Sequence, residues 1–200
     1  MPIRAHGHVE TRMVFRMKAA EIALKPILMW FDRRIVIVPP GEVDVYQQSG
    51  QDLDGNESPL SRFRGSVSLI VNVASKCGFT PQYRQLQELQ DQHEASGFTI
   101  IGCPCNDFGG QEPGDAGSIR RTCSIRYRTD FPMLQKLQVK QGPGQSELYA
   151  SLKTATGVLP RWNFGKYLVN RDGRPIAFFG SSITPRAARL QEIIRNTLQQ

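Results

Sequence analysis

The feature that most constrains the fold is an apolar, β-branched run that stops at a cysteine and gives way to a helical pattern. Residues 69–73 have the length and composition of a buried strand. Cys77 follows within a short loop, and Thr80 and Pro81 are typical of a helix N-cap and a first helical position. The pattern therefore predicts a strand, a loop and a helix, with the Cys77 thiol held before the first turn of the helix.

This position favours a reactive thiol over a structural one. The first turn of a helix carries partial positive charge and free N–H donors, which stabilise a nearby anion. Lys76 adds a positive charge beside Cys77. Because the thiolate is the nucleophilic form of cysteine, both effects predict a reactive Cys77 whose pKa lies below that of an ordinary thiol.

Strand and helix patterns alternate along the rest of the chain. Buried strands separated by helices predict an α/β fold built on a layered sheet. The further predicted elements are a turn at 52–56, helices over 81–95, 118–127 and 147–153, strands over 98–102 and near 137–139, a hairpin of 167–169 with 176–179, and a last helix that Thr184 and Pro185 begin and whose apolar face carries Leu190, Ile193, Ile194 and Leu198.

Residues 1–43 differ in pattern from the rest, and we expect an N-terminal extension followed by one domain over 44–200. The extension mixes basic and apolar residues and is closed by Pro39-Pro40-Gly41, which breaks regular structure. Its basic character is compatible with a targeting segment, but it lacks serine and contains acidic residues. The alternatives are a translation start at a later methionine such as Met29, or a tail with its own role. We favour the later start and expect the extension to be poorly ordered.

Composition argues against nucleic-acid and membrane functions. The net charge of +7 is spread along the 200 residues, and the sequence has no arginine-rich tract or nucleic-acid-binding motif. No apolar run reaches the length of about 18 residues that a membrane-spanning helix needs. One denser basic region is interpreted as a solvated helix face, with attraction of anionic partners as the alternative. It consists of Arg120, Arg121, Arg126 and Arg128.

The cysteines indicate a reducing compartment rather than a disulfide scaffold. They lie at strand ends or on a helix, whereas a secreted scaffold spreads its cysteines through a loop-rich chain. We expect a cytoplasmic protein, with organellar targeting by residues 1–43 as the alternative. A zinc site would need all four thiols and would consume the reactive one, so we expect no metal. The four are Cys77, Cys103, Cys105 and Cys123.

The groups that could activate the thiol are neutral donors rather than a histidine base. The predicted domain contains only His93, in a polar stretch that we interpret as a solvated helix surface. One source of donors is the glycine-rich loop 108–114, where the backbone can approach closely and Gln111 carries an amide. The other is Trp162-Asn163, where an indole N–H and an amide are adjacent. Each of these, taken alone, is also compatible with an ordinary loop or core residue.

Three of these segments together resemble the glutathione peroxidase family. They are Val-Asn-Val-Ala-Ser-Lys-Cys-Gly-Phe-Thr-Pro-Gln-Tyr at 71–83, Gly-Gly-Gln-Glu-Pro-Gly at 109–114 and Trp-Asn-Phe at 162–164. They occur in the family's order, and the resemblance extends over residues 44–200. Smaller agreements are Asn106, Phe108, Phe131-Pro132-Met133 and the hairpin at 169–173.

The resemblance implies a thioredoxin-like fold, with a central mixed β-sheet flanked by α-helices, and the activity of a thiol peroxidase without selenium. It implies that hydrogen peroxide and organic or lipid hydroperoxides are reduced to water and alcohols while the cysteine becomes a sulfenic acid. Three neutral donors would stabilise the thiolate and orient the peroxide. The implied catalytic residues are Cys77, Gln111, Trp162 and Asn163, and no cofactor is implied beyond a thiol reductant.

Cys123 is similar in position to the resolving cysteine of cysteine-type members of the family. This implies a Cys77–Cys123 disulfide that a thioredoxin-like protein reduces. The helix that carries Cys123 would have to loosen, because disulfide geometry tolerates little separation. If Cys123 is instead an inert, half-buried thiol, direct reduction by glutathione is favoured.

Two residues depart from the family's pattern. Cys103 stands where phenylalanine is usual, and Asp107 stands where glutamine is common and is expected to raise the thiol pKa slightly. We interpret the neighbouring Cys105 as structural. The segment between Lys153 and Trp162 lacks the insertion of tetrameric members, which implies a monomer or weak dimer with a site open to bulky lipid hydroperoxides.

Two other functions remain open from sequence. One is a thiol–disulfide oxidoreductase or isomerase, although such enzymes usually carry C-x-x-C and here Gly78, Phe79 and Thr80 follow Cys77. The other is a non-enzymatic peroxide sensor that passes oxidation to a partner protein. A sensor would use the same two cysteines, Cys77 and Cys123.

Overall fold

A five-stranded mixed β-sheet forms the centre of the computed structural model, which describes residues 32–200. The strands are β1 (Ile35–Ile37), β2 (Val67–Val73), β3 (Phe98–Pro104), β4 (Lys166–Val169) and β5 (Pro175–Phe179). Their order across the sheet is β1-β5-β4-β2-β3, and β2 and β3 are parallel. All other neighbours in this sheet are antiparallel.

Helices flank the sheet, which confirms the predicted α/β class. They are α1 (Gln82–His93), α2 (Ala116–Arg120), α3 (Glu147–Thr156), α4 (Ala188–Leu198) and a π-helix at Arg121–Arg126, with 3₁₀ turns at Val45–Gln47, Leu60–Phe63 and Glu94–Ser96. Local chemistry sets the bounds of α3. The Ser146 hydroxyl accepts the N–H of Tyr149 at its start, and Gly157 ends it with a φ of 73°, which favours glycine.

Two apolar cores lie on the two faces of the sheet, because side chains alternate along each strand. Leu69 and Val71 of β2 enter the first core, whereas Ile70 enters the second. Helices α1 and α4 cover the first core and α3 covers the second. The first core also contains Cys77 and Cys123, so the two cysteines that were predicted to react share one apolar environment.

The predicted N-cap at Thr80 is wrong, although the strand, loop and helix around Cys77 form as expected. Helix α1 begins after Pro81 without a side-chain cap. The Thr80 hydroxyl instead accepts the N–H of Cys77 at 3.0 Å and donates to the carbonyl of Ala74 at 2.8 Å. Thr80 therefore fixes the loop that carries the thiol rather than the end of the helix.

The strand predicted near 137–139 does not form. Isolated bridges occur earlier, between Met133 and Gly102 and between Leu134 and Asp52. The Asp107 carboxylate then accepts the N–H groups of Val139 and Lys140 at 2.6 and 2.8 Å. These donors would otherwise be available to a strand partner, so the segment becomes a loop held by a side chain.

The helix predicted over 118–127 is present but changes type midway. Asp115 caps α2 by accepting the N–H of Ser118, and the π-helix then continues to Arg126. The final helix also begins later than Thr184, at Ala188. The hairpin of β4 and β5 agrees with its prediction.

Strand β1 was not predicted and lies within the segment 1–43 that the sequence analysis set apart. It pairs antiparallel with β5 through Ile35 and Phe179. Residues 1–31, and with them most of the predicted extension and the candidate start at Met29, lie outside the described residues. Within the described part, no helix is both long and apolar enough to span a lipid bilayer.

Candidate active site

Cys77 lies in the loop between β2 and α1, with 7% of its surface exposed. The N–H of Phe79 donates to its Sγ at 3.4 Å. Its own N–H is held by Thr80, as described above. The backbone thus presents the sulfur at the edge of the first core, with one donor already directed at it.

Trp162 and Asn163 are brought to Cys77 by Asn72, a polar residue inside the apolar strand β2. The side chain of Asn72 donates to the carbonyl of Trp162 at 3.1 Å and accepts the N–H of Gly165 at 2.9 Å. Its backbone carbonyl accepts the N–H of Phe164 at 2.6 Å. Phe164 has a φ of 66°, an uncommon conformation for a residue with a side chain, so these bonds support a strained turn.

Gln111 reaches the same place from the glycine-rich loop. Its backbone carbonyl accepts the N–H of Lys76 at 3.0 Å, and its side-chain oxygen accepts the amide N–H of Asn163 at 3.0 Å. Gly109 allows this approach, since a Cβ there would lie 3.3 Å from the Trp162 ring and its φ is 67°. The structure therefore brings together the four residues that the sequence singled out.

Burial raises the pKa of the Cys77 thiol above its ordinary value, contrary to the expectation from sequence. The N–H of Phe79 and the side chains of Asn163 and Trp162 act in the opposite direction, because each favours the thiolate. Formation of the nucleophile therefore depends on these neutral donors.

Two donors at the site are free to bind an incoming oxygen atom. The indole Nε1 of Trp162 is buried without an acceptor in hydrogen-bonding geometry, although it lies close enough to Cys77 to lower its pKa. The side-chain oxygen of Gln111 is taken by the amide of Asn163, so its side-chain nitrogen is the group that Gln111 has left to offer. A group that develops negative charge beside the sulfur would find the N–H of Trp162 in place, with Gln111 bonded to the neighbouring Asn163.

Glu112 is a buried residue of the site that the sequence analysis did not assign. Its Oε2 accepts the hydroxyl of Ser75 at 3.0 Å, and its N–H donates to the side chain of Asn106 at 2.8 Å. Burial raises its carboxyl pKa, while the hydroxyl and N–H of Ser75 lower it. Glu112 therefore joins the glycine-rich loop to the loop of the reactive cysteine. The one sequence feature that could have indicated this role is the acidic residue inside the motif at 109–114.

Cys123 is fully buried in the π-helix, in the same core as Cys77. Its Sγ lies 3.8 Å from the carbonyl of Arg120 and 3.6 Å from the hydroxyl of Ser124. Both thiols are free in this structure. A bond between them would require the two sulfurs to approach to about 2 Å.

The remaining cysteines and His93 lie away from this site. Cys103 and Cys105 point into the second core, and burial raises the pKa of each thiol to about 12. Asp107 acts on Cys105 rather than on Cys77, so its expected effect on the reactive thiol is wrong. His93 is buried against Phe98 rather than solvated, and burial lowers its pKa. Among residues 32–200, no three His, Cys, Asp or Glu side chains converge as metal ligands.

Trp162→Phe is expected to raise the pKa of Cys77, because the variant keeps the ring but loses the N–H that favours the thiolate. At a fixed pH below that pKa, alkylation of Cys77 by iodoacetamide should slow by about threefold to tenfold, the scale of one net hydrogen bond. The pH profile of alkylation, followed by mass spectrometry of the Cys77 peptide, measures this shift.

Tyr149→Phe is the matched control for this measurement. Tyr149 also carries a buried polar atom without a partner, but it lies in the second core. Its loss should leave the alkylation profile of Cys77 unchanged. Equal profiles for wild type and Trp162→Phe would show that the indole has no influence on the thiolate.

The sequence and the structure are similar to those of characterised proteins. A family model described as glutathione peroxidase matches residues 45–153. The hydroperoxy fatty acid reductase gpx1 of Synechocystis is 42% identical over 151 residues, covering 70% of this chain and 89% of the relative. The thioredoxin/glutathione peroxidase BtuE of Escherichia coli is 39% identical over 172 residues, covering 74% and 93% of the two chains.

A solved structure agrees with these relatives. The crystal structure of Trgpx in its apo form superposes with a TM-score of 0.64 at 30% identity, over 78% of this chain and 97% of that chain. Together with the mixed sheet and its flanking helices, this similarity confirms the thioredoxin-like fold.

Proposed function

The chain belongs to the glutathione peroxidase family, and from this premise we propose how its residues carry out the reaction. The enzyme is an oxidoreductase, a thiol peroxidase that reduces hydroperoxides with a cysteine. We infer that Cys77 is this cysteine and that Gln111, Trp162 and Asn163 assist it. The observation that carries the proposal is the convergence of these three side chains at one buried thiol.

In the first step, the Cys77 thiolate attacks one oxygen of the peroxide. An S–O bond forms, the O–O bond breaks, and the second oxygen leaves with the electron pair and takes up a proton, giving water or an alcohol. The thiolate becomes a sulfenic acid. The unpartnered N–H of Trp162 and the side-chain amide of Gln111 are suited to stabilise charge on the departing oxygen, and Asn163 holds the side chain of Gln111 in place.

In the second step, Cys123 attacks the sulfenic acid sulfur. The S–S bond forms, the S–OH bond breaks, and water leaves with the proton of the Cys123 thiol. The π-helix supports this role, since such turns are rare and occur often at functional sites. Arg128, just beyond it, has a φ of 56°, which adds local strain. We propose that this segment unwinds to bring the two sulfurs together.

A thioredoxin-type protein is the reductant that we favour for the disulfide. Ile125, two residues after Cys123, is 71% exposed, an unusual position for a large apolar side chain. Exposed arginines surround it on the same segment, namely Arg120, Arg121, Arg126 and Arg128. This surface suits an apolar contact with an acidic rim. The E. coli relative is named for both thioredoxin and glutathione, so glutathione is the alternative reductant.

The substrates that we propose are hydrogen peroxide and bulky organic or lipid hydroperoxides. The Synechocystis relative is named as a hydroperoxy fatty acid reductase. The connection between α3, which ends at Thr156, and Trp162 is short and leaves the site without a covering insertion. For the same reason we propose a monomer or weak dimer.

The four free cysteines are consistent with a reducing compartment such as the cytoplasm, and organellar targeting by residues 1–43 remains part of the proposal.

Mass spectrometry of the peroxide-treated protein tests the assignment of the two cysteines. The reduced protein receives one equivalent of hydrogen peroxide, is alkylated and digested, and its linked peptides are identified. We expect a Cys77–Cys123 disulfide as the main product. A link from Cys77 to Cys103 or Cys105, or a lasting sulfenic acid without any link, would contradict the resolving role of Cys123.

Steady-state turnover separates the enzyme from a non-enzymatic sensor. A peroxidase consumes many equivalents of peroxide when thioredoxin, thioredoxin reductase and NADPH are supplied. A sensor is oxidised once and consumes no further peroxide until it has reacted with its partner protein. An insulin-reduction assay tests the oxidoreductase alternative, for which the absence of a second cysteine at position 80 already speaks against strong activity.

A further inference from the structure

A fully buried lysine contacts the Trp162 loop, which is the segment 157–165 between α3 and β4 that carries Trp162 and Asn163. Lys166, at the start of β4, has no exposed surface. Its Nζ donates to the carbonyl of Phe164 at 2.7 Å. Phe164 is the residue in the left-handed conformation that follows Trp162 and Asn163. The lysine therefore holds the strained turn from one side while Asn72 holds it from the other.

An isolated buried ammonium group is costly, so the source of its compensating charge matters. Burial lowers the pKa of Lys166 to about 7, and the charge of Asp32 acts in the opposite direction. Asp32 is itself buried, 4% exposed, and its carboxylate binds Arg34 through two hydrogen bonds of 2.7 Å. Burial acts to raise the pKa of Asp32, but these bonds and the charge of Arg34 hold it below its ordinary value.

The Asp32–Arg34 pair also touches the Trp162 loop directly. Nη2 of Arg34 donates to the carbonyl of Leu159 at 3.1 Å, three residues before Trp162. The guanidinium lies over the Phe178 ring, 5.1 Å from its centre. The backbone carbonyls of Asp32 and Arg34 accept N–H groups from the segment that follows β5. The pair is thus fixed to the sheet on one side and to the loop on the other.

Asp32 and Arg34 lie outside the region that the family model covers, which begins at residue 45. We propose that Asp32 and Arg34, acting with Lys166, are positioning residues that hold Trp162 and Asn163 at Cys77. The N-terminal strand thereby becomes part of the support of the catalytic site. This inference rests on the proposed roles of Trp162 and Asn163, and its test must separate the two.

Asp32→Asn is the principal test variant, because it removes the charge at nearly constant volume. Hydrogen peroxide is mixed with the reduced full-length protein in a single turnover, and the oxidation of Cys77 and the later formation of its disulfide are timed separately. Oxidation should slow by about tenfold, the order expected from a small displacement of catalytic groups, while disulfide formation keeps its rate. The alkylation midpoint of Cys77 should move to higher pH.

Asp44→Asn is the matched control. Asp44 also forms an ion pair, with Arg64 at 2.6 Å, and its side chain is 8% exposed, but it contacts no residue of the Trp162 loop. The control should lose stability to a similar degree while oxidising at the wild-type rate. Equal slowing in both variants would show a general effect of instability and would overturn the inference.

A double-variant cycle tests the path through the lysine. If Asp32 acts through Lys166, Asp32→Asn should slow oxidation much less in a Lys166→Met background than in the wild type. Fully additive effects would overturn this path. Arg34→Met, which loses both the pair and the bond to Leu159, serves as a second variant and should slow oxidation as Asp32→Asn does.

Trp162→Phe, measured in parallel, distinguishes failure of this inference from failure of the proposed function. If Trp162→Phe slows oxidation and Asp32→Asn does not, the positioning role is wrong and the catalytic assignment stands. If Trp162→Phe oxidises at the wild-type rate, the catalytic role of the donor is wrong and the positioning role falls with it.

Discussion

Cys77→Ser is expected to abolish peroxide consumption. Serine has nearly the same shape, but its hydroxyl is not ionised at neutral pH and does not attack the O–O bond. The fall in rate should reach the uncatalysed background, because the donors around Cys77 bind and polarise a peroxide but supply no electron pair to it. Consumption of hydrogen peroxide in the presence of a complete thioredoxin system, measured through NADPH oxidation, gives the result.

Cys103→Ala controls for the loss of any buried thiol. Cys103 is also buried but lies in the second core, and burial raises its pKa to about 12. This variant should keep its peroxidase rate even if it is less stable. Peroxidase activity that survives in Cys77→Ser, or that is lost in Cys103→Ala at full folding, would move the nucleophile to another sulfur.

Cys123→Ser is expected to abolish turnover with thioredoxin while leaving the first step intact. The peroxide still oxidises Cys77 to a sulfenic acid. No second thiol is then present to attack this sulfur, release water and form the disulfide that thioredoxin recognises. One equivalent of peroxide should be consumed. A dimedone adduct on Cys77, detected by mass spectrometry, should then appear in this variant and not in the wild type at equal peroxide.

Ser124→Ala is the control, because Ser124 is the exposed neighbour of Cys123 and contacts its sulfur at 3.6 Å. Removing this hydroxyl should leave turnover with thioredoxin unchanged. Undiminished turnover in Cys123→Ser would exclude the resolving role. Turnover that persists only with glutathione would instead identify direct reduction of the Cys77 sulfenic acid.

The sequence was most informative where one short segment determines a local structure. The apolar run, the cysteine and Pro81 predicted the strand, loop and helix around Cys77, and β2 and α1 confirm them. Thr80 was assigned wrongly because a hydroxyl next to a helix start has other partners in three dimensions. The Thr80 hydroxyl bonds to the loop carbonyl of Ala74 and the N–H of Cys77.

Long-range contacts were beyond reach of sequence patterns. The motifs implied that Trp162 and Asn163 meet Cys77, but no spacing predicts that Asn72 bonds to three residues of their turn. Strand β1 was missed for a similar reason, because its three residues form a strand only through pairing with β5. The pKa of Cys77 was misjudged because a helix start is visible in sequence, whereas the extent of burial is not.

The π-helix could not be predicted from the sequence either, because its residues are equally compatible with an α-helix. A π-turn accommodates one residue more than the regular spiral, so its return to ordinary pitch rotates everything beyond it by about 100°, the angle of one residue. For the segment Arg121–Arg126, that rotation would change which side chains face the interior. A single slip of register would thus turn the hidden thiol of Cys123 out of its present packing without melting the preceding helix, which is the kind of movement that the proposed disulfide needs.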